Sequence, residues 1–495
     1  MRRRTRQSNE RLSWVAVVGL FACGDAVVTP SAGGVQSAGG AEKPPIAGVF
    51  AAGTVAAPTP TVASTSQSGA ASVPPLAASG VPVGGAAGVA GTVVVAAGSA
   101  AVGSGVTYHK DLRPIIEARC LGCHVEGGSG PFPLDQWDKV EPYKGLVVHA
   151  VELRRMPPWL ADASDCTKLR DDQRLSDEQV ALFSSWQASG FAVGDEADFK
   201  SIPSRARPAI GEPNLIIKAA QPHKLNPGQE YYACLQVDTR VTEELWVTAM
   251  DLVPENAEFV HHAIVSVGGG SCSALGTTAE NIYSYRPGSQ TLVFEKGDAL
   301  RIAAGSVIAI QYHYNTKFAP RGMTLPTDHS AFRLWTLPAG QKPERAIVRM
   351  PHHDLLINIP VNAVDQMEGG SQAISSEYTR PGAEIIGISP HMHYLGQTFK
   401  ETVRKSDGST VCLIDIPAWD QDWQLDYLYD PAHYIPIADG GRVTQECMFS
   451  NRAEDQGIGP DGKPFTPMYT TFGEDTRQEM SLGYIWFRYP LSGAL

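Results

Sequence analysis

Ile388-Ser389-Pro390-His391-Met392-His393-Tyr394-Leu395-Gly396 carries two histidines one residue apart, set among strand-forming residues. On an extended strand, positions i and i+2 face one side, so both imidazoles can reach a single metal ion. The rival reading is two ordinary histidines on a half-exposed strand. Other stretches weigh against it: Phe259-Val260-His261-His262-Ala263-Ile264-Val265 and Ile310-Gln311-Tyr312-His313-Tyr314 lie upstream, and Thr476-Arg477-Gln478-Glu479-Met480 lies downstream. Three histidine clusters and one thioether make a ligand set that suits copper.

Working outward, short β-branched and aromatic runs punctuated by Gly, Pro and Asn read as strands over 215–218, 231–237, 244–252, 260–267, 307–314 and 331–337. A second series follows over 355–359, 383–390, 397–405, 410–416, 442–449 and 481–489. This spacing predicts two antiparallel, jelly-roll-like sandwiches, 208–340 and 341–495, joined near Gly340. Gly-rich phosphate loops and strand-helix alternation, the marks of nucleotide binding, are missing from this sequence. His261 and His262 would point to opposite faces of a regular strand, so joint binding requires a bulge or strand end. Alone, His313 reads as a satisfied strand histidine and Met480 as a core filler. His352-His353 is assigned to the surface.

Upstream of the strands, Cys120-Leu121-Gly122-Cys123-His124 is a c-type haem attachment signature, in which two thiols bind the porphyrin and the histidine ligates iron. A redox dithiol or half a zinc site are the rivals. The lead-in from Tyr108 to Ile116 has the pattern of a first helix, and Met156 is the expected sixth ligand, with His149 and then His109 as alternatives. A capping box from Ser176 to Gln179 announces a last helix. Residues 106–203 therefore resemble a small all-α, monohaem cytochrome c domain, followed by the proline-flanked linker 203–208.

At the start of the chain, an arginine-rich head runs into a short apolar segment ending Leu20-Phe21-Ala22-Cys23. It reads as an export signal over 1–23 and resembles a bacterial lipoprotein signal, with lipid attached at Cys23 in the cell envelope. Residues 24–105 are dominated by Ala, Gly, Val, Ser, Thr and Pro, a composition that cannot bury enough apolar surface to order itself and reads as a tether. A formal net charge of −12 argues against a nucleic-acid partner. Of the eight cysteines, the expected pairings are Cys234 with Cys272 and Cys412 with Cys447, which leaves Cys166 free.

From about Ile210 onward, the ordered set His261-His262, Gln311-Tyr312-His313-Tyr314, His391-Met392-His393-Tyr394-Leu395-Gly396, Cys447-Met448-Phe449 and Thr476 through Met480 resembles the copper type II, ascorbate-dependent monooxygenases. That group includes peptidylglycine α-hydroxylating monooxygenase and dopamine β-monooxygenase. The resemblance implies an electron-donating copper on His261, His262 and His313, and an oxygen-binding copper on His391, His393 and Met480. A thioether favours Cu(I), the state that must meet dioxygen. The chain also departs from the pattern. Ser389 and Leu482 stand where peptide-amidating members place an arginine and an asparagine for a substrate carboxylate, and Ser481 stands where animal members have a cysteine. Tyr484 matches a pocket tyrosine of the family.

The implied activity is O2-dependent hydroxylation of a small organic substrate. Its electrons would come from a periplasmic or membrane donor through the fused haem, which would reduce the first copper and, through it, the second. The competing class is a non-catalytic electron-transfer or copper-binding lipoprotein.

Overall fold

The computed structural model describes residues 105–162, 166–202, 210–237, 241–268, 272, 280–317, 319, 322–459, 463–475 and 477–491. The export signal, Cys23 and the tether up to residue 104 lie outside the described residues. Sheets dominate what is described, and the helices gather in its N-terminal part.

That part is a small helical unit. Helices Arg113–Arg119, Lys144–Glu152 and Asp177–Ala188 enclose a core of Tyr108, Leu112, Ile116, Val148, Phe183 and Trp186. The capping box is present: Ser176 Oγ accepts the Gln179 N–H at 3.2 Å, while Gln179 Oε1 accepts the Ser176 N–H at 3.0 Å. This satisfies two of the backbone donors that a helix start leaves open.

The rest is built on one ten-stranded sheet. Its main path runs Leu215–Lys218, Ala331–Thr336, Leu245–Val253, Asp298–Ile302, Arg345–Asp354, Ser481–Pro490, Glu384–His391 and Tyr427–Leu428. A four-stranded sheet of Glu230–Val237, Val307–Asn315, Val260–Gly268 and Glu280–Tyr285 packs on its first half, sharing a core that includes Met250, Val265, Ile310 and Phe332. A five-stranded sheet centred on Gly441–Phe449 and Gly396–Lys405 packs on the second, around Ile388, Phe399, Leu413 and Phe487. The two halves are thus joined by more than a linker, because Asp298–Ile302 pairs in parallel with Arg345–Asp354. At this seam the buried Asp298 carboxylate accepts hydrogen bonds from Arg345 and Arg488, which satisfies a charge that burial would otherwise penalise.

Two expectations are corrected here. Cys234 does pair with Cys272, but Cys412 pairs with Cys166, leaving Cys447 a buried thiol. The reason is register. Cys412 lies opposite Thr402 and Cys447 opposite Phe399, on the two flanks of strand Gly396–Lys405, so an entire strand separates them. Cys166 arrives because residues 166–172, between helices Lys144–Glu152 and Asp177–Ala188, run along the second half, with Thr167 N donating to Cys412 O at 3.2 Å and Arg170 N to Leu428 O at 2.8 Å. The second correction is His352, assigned to the surface but 1% exposed, with Nδ1 2.7 Å from the buried Glu401 Oε1. It belongs to Arg345–Asp354, a strand absent from the sequence reading, which lies inside the large sheet.

Candidate metal centres

His261 and His262 lie on Val260–Gly268, and His313 on its neighbour Val307–Asn315. The register between these strands slips between Val260 and His262, which breaks the alternation that would send adjacent side chains to opposite faces. His313 Nδ1 consequently lies 3.3 Å from His261 Nδ1 and 3.1 Å from His262 Nδ1, and the three offer one ligand atom each within 4.8 Å of one another. Glu230 Oε1 approaches His313 Nε2 at 2.8 Å, and the Tyr232 ring stacks on His313 with centroids 4.4 Å apart. Burial would raise the Glu230 carboxyl, but hydrogen bonds from His313 and Lys317 outweigh it and bring it down to about 2. Burial lowers the pKa of His261 and takes His262 well below the ordinary value, which keeps lone pairs available for a metal.

The second set forms where two neighbouring strands begin and end. His391 is the last residue of Glu384–His391, His393 sits in the turn that follows, and Met480 immediately precedes Ser481–Pro490, whose Leu482 pairs with His391. The two rings lie edge to face with centroids 5.1 Å apart. His391 Nδ1 is hydrogen-bonded to Gln424 and His393 Nδ1 to Gln478 O at 3.0 Å, so each Nδ1 is engaged and each Nε2 is left for a ligand role. Burial drops His391 to about 3 and His393 to about 4. Glu479, fully buried, ties the arrangement together: its carboxylate accepts the N–H groups of His393 at 2.8 Å, Leu395 at 2.7 Å and Met480 at 3.1 Å. Burial nonetheless raises this carboxyl to about 8.

The two sets are neighbours. His262 joins His391, His393 and Met480 in lining one cavity of about 500 Å³. The turn over 420–426 reaches both sets: Asp422 Oδ1 lies 3.4 Å from His261 Nε2, and Gln424 holds His391. Sequence reading missed Asp422, Gln424 and Glu479. Only Glu479 carried a signal, as a carboxylate beside the candidate ligand Met480.

In the helical unit, the Cys120 and Cys123 thiols are unpaired, and His124 Nδ1 is hydrogen-bonded to Phe132 O at 2.9 Å. Two free thiols and an imidazole with Nδ1 pinned and Nε2 open are what a covalently attached haem requires. Glycine is needed at 130, where a Cβ would stand 2.6 Å from His124 Nδ1. Met156 is half-buried after helix Lys144–Glu152, His149 is exposed on that helix, and His109 is half-buried in the first turn. No hydrogen bond or ring contact among the described residues joins any of these three to His124. The motif lies against the first half of the sheet assembly: a Cβ on Gly288 would stand 2.7 Å from Cys123 Sγ. Three residues earlier, Tyr285 pairs with Ala263, the neighbour of His262.

No protein-family description matches the chain, and no curated protein matches it. Among solved structures, a protein of Eubacterium rectale held to be secreted aligns at 11% identity over 53% of this chain and 70% of its own, with a TM-score of 0.19. One of Parabacteroides distasonis, also held to be secreted, aligns at 8% identity over 57% and 88%, with a TM-score of 0.17. Likenesses this slight carry no argument. Among the described residues, no helix is long and apolar enough to cross a membrane.

Proposed function

We propose that the chain is a dicopper monooxygenase of the kind its sequence resembles. It inserts one atom of O2 into a C–H bond of a small organic substrate and releases the other as water, consuming two electrons and two protons. The supporting observation is that His391, His393 and Met480 share a single cavity with His262 of the first triad. Copper held by these two sets would supply one-electron storage at the first and oxygen activation at the second, and a haem on Cys120, Cys123 and His124 would supply electrons one at a time.

The chain's own residues prepare the site. Burial holds the imidazoles neutral, and Gln424, Gln478 and Glu479 orient the second set. Pro390, Leu425, Leu482 and Met480 present apolar surface to the substrate, which keeps water from the reacting centre. Placement of Cys123 against Gly288, on the turn that follows the strand paired with His262's own strand, favours electron entry through the first triad. The reading extends to an envelope protein anchored by lipid at Cys23 and served by a periplasmic or membrane donor.

The test is product detection. Copper-loaded protein, supplied with electrons and a metabolite extract under 18O2, should yield products gaining one labelled oxygen, and His391→Ala should abolish them while leaving a haem spectrum intact. A full complement of metals with no oxygenated product across broad extracts would favour a non-catalytic electron carrier.

A further inference from the structure

Two guanidinium groups are buried in the wall of the shared cavity. The Arg349 side chain, 4% exposed, lies over the rings of Tyr484 and Trp486, at 4.6 and 4.3 Å from their centroids. Its Nη1 donates to Asn281 O at 3.0 Å and Oδ1 at 3.1 Å, but Nε and Nη2 find no hydrogen-bond acceptor among the described residues. Arg286, which follows strand Glu280–Tyr285, is 3% exposed and its Nε has none either. Against these two cations stands one largely buried acid, Asp426, with Oδ1 3.7 Å from Arg349 Nη2 and a hydrogen bond from Ser389 Oγ. The other acids of the lining, Glu280, Asp422 and Glu474, are solvent-exposed, and Asp422 sits beside His261.

Among the described residues, the buried part of the wall therefore holds one positive charge in excess. A guanidinium cannot shed its proton to relieve that cost, so relief must come from an anion. We infer that Arg349 and Arg286 form an anion subsite that takes the carboxylate of a small organic acid, anchoring the substrate whose oxidation is proposed above; the ligand's role as substrate rests on that reading, but its binding does not. A planar fork matches carboxylate and phosphate alike. A surplus of one favours the monoanion over a phosphate, which carries a charge of about −1.5 to −2. Ile264, Pro390, Leu425 and Leu482 line the same cavity and suit an apolar body attached to that head group.

Calorimetric titration of the full chain, before and after copper loading, tests this with three probes of similar shape: phenylacetate, phenylacetamide and phenyl phosphate. Phenylacetate should bind at least about tenfold more tightly than the amide in both states, as a charge-assisted pair implies. Arg349→Met should erase that preference and Arg349→Lys should weaken it. Equal binding of acid and amide, binding of neither, tighter binding of phenyl phosphate, or a preference that appears only after copper loading would overturn the subsite. The comparison of probes in the unaltered chain stands even if a variant fails to fold. Because no turnover is read, failure here is separable from failure of the monooxygenase reading.

Discussion

Glu479 shows how one buried group can organise a candidate metal site through backbone donors. Its three backbone donors belong to the turn bearing His393 and to Met480, so one carboxylate fixes the separation between a ligand turn and a ligand strand. Outer partners of this kind are worth about 10- to 100-fold in metal affinity. Glu479→Ala should therefore weaken copper at the second centre by that order in chelator competition, leave the first centre unchanged, and exceed the effect of Glu479→Gln. Titration carries a second expectation. His391 and His393, at about 3 and about 4 in the folded chain, protonate more readily when unfolded, near the ordinary 6.5 or so. Their contribution to stability is complete above that ordinary value and is lost as pH falls toward the folded values. Thermal melts of the metal-free protein should fall between about pH 6.5 and 4, and less steeply in His391→Leu. Glu479, raised to about 8, has the opposite sign: its contribution is present below the ordinary carboxyl value and is lost as pH rises through 8.

At the scale of elements, the strap formed by 159–162 and 166–172 does what no helix or strand does alone. Ala161 and Leu169 enter the core of the second half, and Cys166–Cys412 closes a separation of 246 residues between helical unit and sheet. Closing so long a loop restricts the unfolded chain and is worth about 2–4 kcal/mol. Cys166→Ser with Cys412→Ser should lower stability by that order in denaturant melts and speed protease cleavage within 159–172. Loss of neither would mean that packing of Ala161 and Leu169 alone secures the strap. Arg345–Asp354 is the other element of consequence, because it places Arg349 in the cavity wall and His352 beside Glu401. Its run Ala346-Ile347-Val348-Arg349-Met350 contains β-formers, yet the charge and following proline disguise it as a loop.

For the whole molecule, the placement of Cys123 against Gly288 predicts a direction of electron flow. If a haem is bound as proposed, covalent fusion would raise the effective concentration of a one-electron donor at the first triad. With one haem and two coppers bound, as haemochrome spectra and elemental analysis should find, anaerobic mixing of haem-reduced protein with oxidised copper should oxidise the haem. Haem oxidation no faster than in copper-free protein would remove the relay. Met156→Ala should convert a low-spin haem spectrum to a high-spin or water-ligated one, and an unchanged spectrum would turn attention to His149.

Local pattern was enough for what depends on neighbours along the chain. Alternation and turn residues located Leu215–Lys218 and Thr410–Ile416 to the residue, Ser176 and Gln179 marked a helix start through a contact three residues long, and joint binding by His261 and His262 required a bulge or a strand end, of which the structure has a register slip between Val260 and His262. Contacts set by the packing of distant strands left no such trace. Cys166 and Cys412 meet because a strap crosses a sheet, and Cys447 cannot reach Cys412 because strand Gly396–Lys405 intervenes. Ser389 stands where peptide-amidating members carry an arginine, yet Arg349 and Arg286 reach the cavity wall from Arg345–Asp354, a strand the sequence reading did not include, and from the end of Glu280–Tyr285. A sequence records which residues can pair. Which of them share a cavity is decided by the order of strands in the sheet, since that order brings residues far apart in the chain within bonding distance.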